Sequence, residues 1–211
     1  MTNYDNFYYI YPPRPKNAID PKHLNSWDDN SMICQIKTNG SNCVIFMNGI
    51  DCFIYTRHGT RLTTFELQKE EILKLYSGKG WMVINGEYLN KNKKDERNAS
   101  FNHKLILFDI LVHNSEYLIG KTFADRVELM DSLFGTKDSE KEFLFSVSEN
   151  VYRVKSYQKD FKQLFDKYTK IDLVEGVVLK RKNARLEIGS TENNNSKSQV
   201  KSRKKCKNYK F

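Results

Sequence analysis

Two apolar runs of β type, at residues 43–47 and 52–56, flank the dipeptide Asn48-Gly49. An Asn-Gly pair between such runs is a strong signal for a hairpin, because both residues tolerate the positive φ of a tight turn. Further runs at residues 81–89, 104–112 and 172–180 also predict strands. The chain is therefore expected to build its core mainly from antiparallel sheets.

Three segments between these strands predict helices. The first covers residues 65–76. The second covers residues 122–134, where Thr122 and Asp125 are spaced like a capping box and four apolar residues share one face: Phe123, Val127, Met130 and Phe134. The third carries an aromatic stripe at helical spacing, which we interpret as core: Tyr157, Phe161, Leu164, Phe165 and Tyr168. The predicted fold class is α+β, with antiparallel sheets flanked by helices.

The 211 residues are expected to form a single catalytic domain, residues 1–211. Residues 1–30 are predicted to be an extended N-terminal segment, because Pro12, Pro13 and Pro15 fix φ and restrict the residues before them. Polar segments at residues 90–102 and 192–198 predict loops. Residues 192–211 are predicted to include a basic C-terminal strand.

Composition excludes several classes of protein. No run approaches the roughly 18 apolar residues of a membrane span, so no membrane partner is expected. The N-terminus lacks a basic-then-apolar signal pattern. The four cysteines show no Cys-x-x-Cys spacing, which argues against a zinc site and a disulfide framework. We expect a cytoplasmic protein, in the host cytoplasm if the source is viral.

The net charge of +9 is concentrated at the C-terminal end. Residues 180–211 hold eleven Lys or Arg and only two Glu, which accounts for the whole net charge. A cationic strip of this kind suits a polyanionic partner such as nucleic acid, through salt-sensitive phosphate contacts. The alternative is a solvated basic tail.

Two segments place a lysine at the edge of an apolar β-type run: KTNG (37–40), which Lys37 opens, and EGVVLK (175–180), which Lys180 closes. Strands with this pattern can build a phosphate site without a helix N-terminus. The chemistry they suggest is attack of a lysine on a nucleotide phosphate. A lysine attacks only in its uncharged form, which nearby cations such as Lys180 and Lys201 would favour. Taken alone, a motif this short belongs far more often to a solvated lysine than to a nucleophile.

Six segments in one order make the pattern specific. They are KTNGSN (37–42), TRHG (56–59), NGEYL (85–89), LFDIL (107–111), EGVVLK (175–180) and QVKSRK (199–204). Together they resemble the nucleotidyltransferase domain of ATP-dependent RNA ligases, DNA ligases and mRNA capping enzymes. The resemblance implies their ATP-grasp-like fold and covers nearly the whole chain. Two positions depart from it, since the family commonly has Asp at Asn39 and Lys at Arg203.

The resemblance implies a role for each matching residue. Lys37 would attack the α-phosphorus of ATP and form a lysyl-AMP phosphoramidate. The implied ATP-binding residues are Ile36, Asn39, Gly40, Asn42, Arg57, Glu87, Phe108, Lys180, Lys201 and Arg203. Among these, Arg57 would grip ribose or phosphate, Glu87 would accept from ribose hydroxyls, and Phe108 would stack on adenine or lie in the core.

Glu175 is the implied ligand of Mg²⁺ or Mn²⁺, because a hard ion that bridges phosphates prefers oxygen ligands. Lys180 and Lys201 would stabilise charge on the α-phosphate and the leaving pyrophosphate. Asp109 is expected to pair with a structural base rather than with the metal. Four lysines beyond the last motif are expected to contact the nucleic acid backbone: Lys204, Lys205, Lys207 and Lys210.

The form KTNGSN favours an RNA ligase that joins 5′-phosphate and 3′-hydroxyl ends, and a minimal ATP-dependent DNA ligase ranks second. A capping guanylyltransferase and a non-catalytic nucleic-acid-binding protein follow. Only 36 residues precede Lys37, which disfavours an NAD-dependent ligase. Ten residues follow Lys201, so no C-terminal OB-fold is expected, and a partner chain could supply the missing clamp.

Overall fold

A computed structural model describes residues 9–63, 65, 67–90, 92–191 and 193–205. Within these ranges the strands are β1 (Asn17–Ala18), β2 (Met32–Thr38), β3 (Ser41–Met47), β4 (Cys52–Thr56), β5 (Met82–Leu89), β6 (Lys104–His113), β7 (Glu116–Tyr117), β8 (Leu144–Ser146), β9 (Val151–Val154), β10 (Ser156–Tyr157), β11 (Val174–Arg181) and β12 (Gln199–Arg203). The α-helices are α1 (Lys69–Leu73), α2 (Phe123–Phe134) and α3 (Phe161–Tyr168). Short 3₁₀ helices cover Pro21–Trp27 and Ser196–Ser198.

The strands form two sheets. One has five strands in the order β1-β12-β11-β2-β10, and the other has seven, with the path β4-β3-β5-β6-β9-β8 and β7 beside β6. Neighbouring strands are antiparallel except in the pairs β1–β12 and β6–β9. The predicted α+β class with mainly antiparallel sheets is confirmed.

The predicted hairpin joins β3 and β4. Met47 pairs with Cys52, and Gly49 adopts a φ of 84° inside the turn. The side chain of Asn48 accepts hydrogen bonds from the backbone amides of Ile50 and Asp51 at 3.0 and 2.7 Å. These bonds close the turn and fix the register of the two strands.

The helix predictions are confirmed at α2 and corrected elsewhere. Thr122 and Asp125 form the expected capping box of α2. The helix predicted over residues 65–76 is wrong in extent, because among the described residues of that range only Lys69–Leu73 is helical. Its first residue follows Gln68, whose side chain makes no cap bond. Tyr157 lies in β10 rather than in α3, although the rest of the aromatic stripe packs as core.

The structure describes part of each terminal segment. Residues 9–16 have no helix or strand, whereas the predicted extended segment also contains β1 and the helix Pro21–Trp27. The C-terminal strand predicted at residues 192–211 is β12, Gln199–Arg203, and residues 206–211 lie outside the described part of the chain. Organisation as a single domain stays a prediction.

The buried side chains form two clusters, one on the seven-stranded sheet and one that residues of both sheets share. Phe46, Ile84 and Ile110 belong to the cluster on the seven-stranded sheet. Phe161 and Phe165 of α3 belong to the other cluster, against Val177 of the five-stranded sheet. In the described residues no helix is both long and apolar enough to cross a membrane.

A buried ion pair fastens α2 to β6. Arg126 donates from Nε and Nη2 to the two carboxylate oxygens of Asp109 at 2.8 and 3.1 Å, and both side chains are almost fully buried. Burial acts to raise the pKa of Asp109, but the charges of Arg126 and Lys180 hold it below its ordinary value. The interpretation of Asp109 as the partner of a structural base is confirmed.

Replacement of Arg126 by Met should destabilise the protein by about 3–5 kcal/mol, because Asp109 would keep a buried charge without its partner. Denaturant unfolding measures this loss. Lys162→Ala is the matched control, since its ion pair with Asp166 lies at the surface of α3 and should contribute less than about 1 kcal/mol. Equal effects of the two substitutions would contradict the assigned role of the buried pair.

Candidate active site

A cleft of about 580 Å³ opens between the two sheets. Side chains of β2, β11 and β12 line one wall, and those of β3, β5 and β6 line the other. The cleft brings together every residue predicted to bind ATP or metal: Ile36, Lys37, Asn39, Gly40, Asn42, Arg57, Glu87, Phe108, Glu175, Lys180, Lys201 and Arg203. The six motifs, although distant in sequence, therefore meet at one cleft.

Lys37 is the next-to-last residue of β2 and makes an ion pair with Glu175 of β11. Lys37 Nζ lies 2.5 Å from Glu175 Oε2, and the two side chains are 20% and 5% exposed. Glu175 is the extra residue of a β-bulge, because Val174 pairs with Thr38 while Gly176 pairs with Lys37. A bulge re-aims a side chain out of the regular alternation. Here it turns the carboxylate toward the lysine.

Arg203 of β12 holds the other oxygen of the same carboxylate. Its Nε lies 2.5 Å from Glu175 Oε1. The approach of β12 depends on Gly176, because a Cβ at that position would lie 1.9 Å from the backbone oxygen of Ser202. Any larger residue would push the strands apart. The glycine therefore lets Glu175 sit between two cations, Lys37 and Arg203.

Two further lysines bring positive charge to the cleft. Burial lowers the pKa of Lys180 to about 8, despite the opposing charge of Asp109. Burial also lowers the pKa of Lys201 to about 8, together with the positive charges of Arg203, Lys37 and Arg14. Lys201 and Arg203 lie two residues apart on β12, so they share the face that lines the cleft.

Phe108 of β6 lines the cleft and is half-buried. Phe108 lies at a register shift between β5 and β6. Asn85 pairs with Asp109 and Gly86 pairs with Leu107, so Phe108 is left between the two pairs. Lys180 Nζ lies 5.1 Å from the centre of the Phe108 ring and 4.4 Å from that of Phe123, the first residue of α2. Cation–π contact with both rings positions the lysine.

Glu87 is buried and contacts the first motif. Its Oε1 accepts a hydrogen bond from the backbone amide of Gly40 at 3.0 Å. Burial raises the pKa of Glu87, although Lys37 and the Gly40 amide act in the opposite direction. A Cβ on Gly40 would lie 2.5 Å from the backbone oxygen of Tyr88, so this position requires glycine. Glu87 thus fixes the chain between β2 and β3.

The remaining predicted residues lie at the rim of the cleft. The backbone amide of Asn39 donates to Leu173 at 2.9 Å, and Asn42 Oδ1 accepts from the side chain of Asn85 at 3.3 Å. Arg57, which follows β4, donates from Nε to His58 at 3.1 Å. The contacts of Asn42 and Arg57 position their side chains, whereas that of Asn39 holds its backbone.

One further side of the cleft, formed by residues 11–15, could not be foreseen from the sequence. Residues 11–15 run in extended form along it, and all five contribute to its lining. The three prolines predicted an extended segment but not its place. The sequence carries no signal for the place of this segment, because the segment is held by residues far away in the chain, including Gly189, Asn194 and Lys201.

Neither Lys204 nor Lys205 lines the cleft. Lys204 donates from Nζ to the backbone oxygens of Thr169 and Ile171, at 3.1 and 2.9 Å, just beyond α3. Lys205 is exposed, and Lys207 and Lys210 lie outside the described residues. Their contact with nucleic acid stays a prediction.

The cleft offers oxygen ligands for a divalent cation. Its carboxylates are Glu87 and Glu175, both buried, and the described residues contain no cluster of three or more His, Cys, Asp or Glu side chains that could enclose a metal. Mg²⁺ is typically held by one or two carboxylates, waters and substrate phosphates rather than by an all-protein cage. The donors present fit that mode of binding.

The fold is similar to that of solved DNA ligases. Mycobacterial DNA ligase D, in complex with ATP and MES, is 15% identical with a TM-score of 0.65, over 93% of this chain and 62% of that chain. The ligase domain of M. tuberculosis LigD is 16% identical with a TM-score of 0.63, over 93% and 61%. A Lig E DNA ligase, described as binding DNA with a minimal scaffold, is 13% identical with a TM-score of 0.55, over 92% and 70%.

These identities establish likeness of fold alone, and the chain spans about three fifths of the length of the two ligase D structures. A search of curated proteins gave no significant match. The resemblance to nucleotidyltransferases is confirmed, and the comparisons favour the DNA ligase, ranked second from the sequence, over the RNA ligase ranked first. Residues 16–199 match the family model of the ATP dependent DNA ligase domain, and the protein therefore belongs to that family.

Proposed function

We propose that this protein is an ATP-dependent DNA ligase whose first step transfers AMP from ATP to Lys37. The observation that supports this most directly is the contact of Lys37 with Glu175 in the cleft where the six motifs meet. Membership of the DNA ligase family supports the choice of DNA over RNA.

The cleft is built to receive a polyanion. Among its described lining residues, six are Lys or Arg and two are Glu. A triphosphate fits this excess of positive charge, because fixed cations in a partly desolvated cleft stabilise phosphate charge better than water-exposed ones. Phe108 offers an aromatic face for the adenine, and Glu87 and Arg57 lie within the same cleft for the ribose and phosphates.

In the first step Lys37 Nζ attacks the α-phosphorus. A nitrogen–phosphorus bond forms, the bond from phosphorus to the bridging oxygen breaks, and pyrophosphate leaves with that electron pair. Nζ attacks as an uncharged amine, after its ammonium form has lost one proton to solvent, and it gives a second proton to Glu175 Oε2, 2.5 Å away, as the new bond forms. Lys180 and Lys201 stabilise the charge that develops on the phosphates. The product is lysyl-AMP and pyrophosphate.

Glu175, with Glu87 nearby, would hold Mg²⁺ or Mn²⁺ together with phosphate oxygens of ATP. When bound, such an ion neutralises phosphate charge and makes the α-phosphorus more electrophilic. Glu175 also keeps Lys37 Nζ in place through their ion pair, and Arg203 fixes the carboxylate from the other side.

The later steps follow from the lysyl-AMP intermediate. The adenylate passes to the 5′-phosphate at a break in DNA, and the 3′-hydroxyl then displaces AMP to seal the strand. Lys205, Lys207 and Lys210 would contact the phosphate backbone, whereas Lys204 would stabilise the end of α3. A partner chain that clamps the DNA also belongs to this proposal.

Incubation with α-labelled ATP should label the protein covalently, whereas α-labelled GTP should not. Lys37→Ala should abolish the label, because the bond to AMP forms on Nζ. Lys22→Ala, which removes a lysine exposed at the surface, should be labelled like the wild type. The linkage should be labile in acid and stable in alkali. Undiminished labelling of Lys37→Ala would contradict the assigned nucleophile.

The substrate is tested by sealing of nicked duplex DNA compared with nicked and single-stranded RNA. We expect sealing of nicked DNA. Joining of RNA ends alone would reinstate the RNA ligase interpretation. Labelling without joining of any end would indicate that a partner chain must position the nucleic acid.

Phe108→Ala should raise the KM for ATP about tenfold or more, because the adenine would lose its stacking surface. It should destabilise the protein less than Phe46→Ala, whose fully buried ring contributes about 3–5 kcal/mol. Adenylation kinetics and thermal unfolding measure the two effects. A Phe108→Ala protein that unfolds as easily as Phe46→Ala, yet keeps its affinity for ATP, would assign Phe108 to the core.

Adenylation should decline as the pH rises above about 8. Lys180 and Lys201 have pKa values of about 8, so both are cations below that pH and lose their charge above it. The kcat/KM for ATP reports groups of the free enzyme and should follow this loss. In Lys201→Arg the guanidinium stays charged, so the decline should be shallower. Lys22→Arg is the control, and identical profiles would exclude Lys201 from the effect.

A further inference from the structure

Residues 11–15, here named the N-terminal strap, are fastened along one wall of the cleft. The backbone amide of Tyr11 donates to Gly189 at 2.9 Å, and that of Arg14 donates to Asn194 at 3.0 Å. The side chain of Asn194 in turn donates to the backbone oxygen of Tyr11 at 2.6 Å. These bonds hold both ends of the strap, and its prolines limit its remaining freedom. The strap is therefore a preorganised wall.

The strap also contacts a cation of the site directly. Lys201 Nζ donates to the backbone oxygen of Pro15 at 3.1 Å. Farther along the chain, the amide of Ile19 donates to the backbone oxygen of Lys201 at 2.9 Å. Lys201 is thus held at both its backbone and its side chain by the N-terminal part of the chain.

Arg14 is the one charged residue of the strap, and it lines the cleft half-buried. Its guanidinium is close enough to Lys201 for its charge to lower the pKa of that lysine. Two like charges held together in a cleft repel each other, and an anion bound between them would offset that repulsion. Arg14, Lys201 and Arg203 thus concentrate positive charge at the wall opposite Phe108 and β6.

The chemistry of the first step supplies a suitable anion. While the α-phosphorus reacts at Lys37, the β- and γ-phosphates gather the charge of the departing pyrophosphate. A guanidinium matches phosphate oxygens with two parallel donors, which a lysine cannot do. The strap presents such a group from a backbone that is already ordered, so binding costs little conformational entropy.

We propose that Arg14 binds the β- and γ-phosphates of ATP during adenylation and holds the pyrophosphate as it leaves. This inference rests on the proposed function of the cleft. The DNA backbone is the competing ligand for Arg14. The phosphates of ATP are favoured because Arg14 lies within the cleft that holds Lys37, whereas its neighbour Lys16 is exposed outside it.

The test compares Arg14→Ala and Arg14→Lys with Lys16→Ala, which removes the same charge two residues away. Three reactions are measured on each protein: lysyl-AMP formation over a range of ATP concentrations, its reversal by added pyrophosphate, and sealing of nicked DNA already adenylated at its 5′-phosphate, without ATP. Only the first two involve the β- and γ-phosphates.

Arg14→Ala should lower kcat/KM for ATP and for pyrophosphate on the order of 10- to 100-fold, as expected for loss of a charged hydrogen bond. Arg14→Lys should lie between Arg14→Ala and the wild type. Sealing of pre-adenylated DNA should stay within about twofold of the wild type for both. Lys16→Ala should change none of the three reactions by more than about twofold.

Two results would overturn the inference. Arg14→Ala that behaves like Lys16→Ala would show that the strap does not bind phosphate. An equal loss in the sealing of pre-adenylated DNA would assign Arg14 to DNA or to the structure of the cleft. If Arg14→Ala fails to fold, Arg14→Lys decides by the same criteria. Failure of the wild type to form lysyl-AMP would instead refute the proposed function.

Discussion

The carboxylate of Glu175 is the centre on which the site depends. It is buried, it lies in a β-bulge, and each of its oxygens meets a different cation, Lys37 and Arg203. A buried carboxylate is costly unless it is paired, so this geometry is stable only while β2, β11 and β12 keep their register. Gly176 permits that register by leaving room for the backbone of β12. The arrangement proposed for catalysis and the packing of the five-stranded sheet therefore depend on the same register of the strands.

Local features of the fold could be predicted from the sequence. The hairpin at Asn48 and Gly49 depends on neighbouring residues, and so does the capping box of α2. Site residues were predictable for another reason, since their order along the chain resembles a known family. The interpretation of α1 failed because Phe65 and Leu67 pack against the core without forming a helix. Apolar spacing alone does not distinguish a helix from a non-helical segment that packs against the core.

What the sequence could not reveal is non-local. The strap is placed by Asn194 and Lys201, more than 180 residues away. Lys204 appeared to be one of several exposed phosphate-binding lysines, yet its ammonium group bonds backbone oxygens beyond α3. A long cationic side chain near a helix C-terminus can bind either a phosphate or the last carbonyl groups of the helix, and only the fold decides which of the two it binds. The preference for RNA depended on a single motif, KTNGSN, which the family match over residues 16–199 outweighs.

The position of the strap has a consequence for how boundaries are drawn in proteins of this kind. The family match ends at residue 199 and begins at residue 16, so it omits the strap together with Lys201 and Arg203. A protein trimmed to those boundaries would keep Lys37 and Glu175 and would look complete by sequence, although it would retain only the first residue of β12. It would nevertheless lack one wall of the cleft and the second cation on Glu175. Residues 11–15 and residues of β12, which lie far apart in the sequence, are therefore as necessary to this pocket as the central strands are.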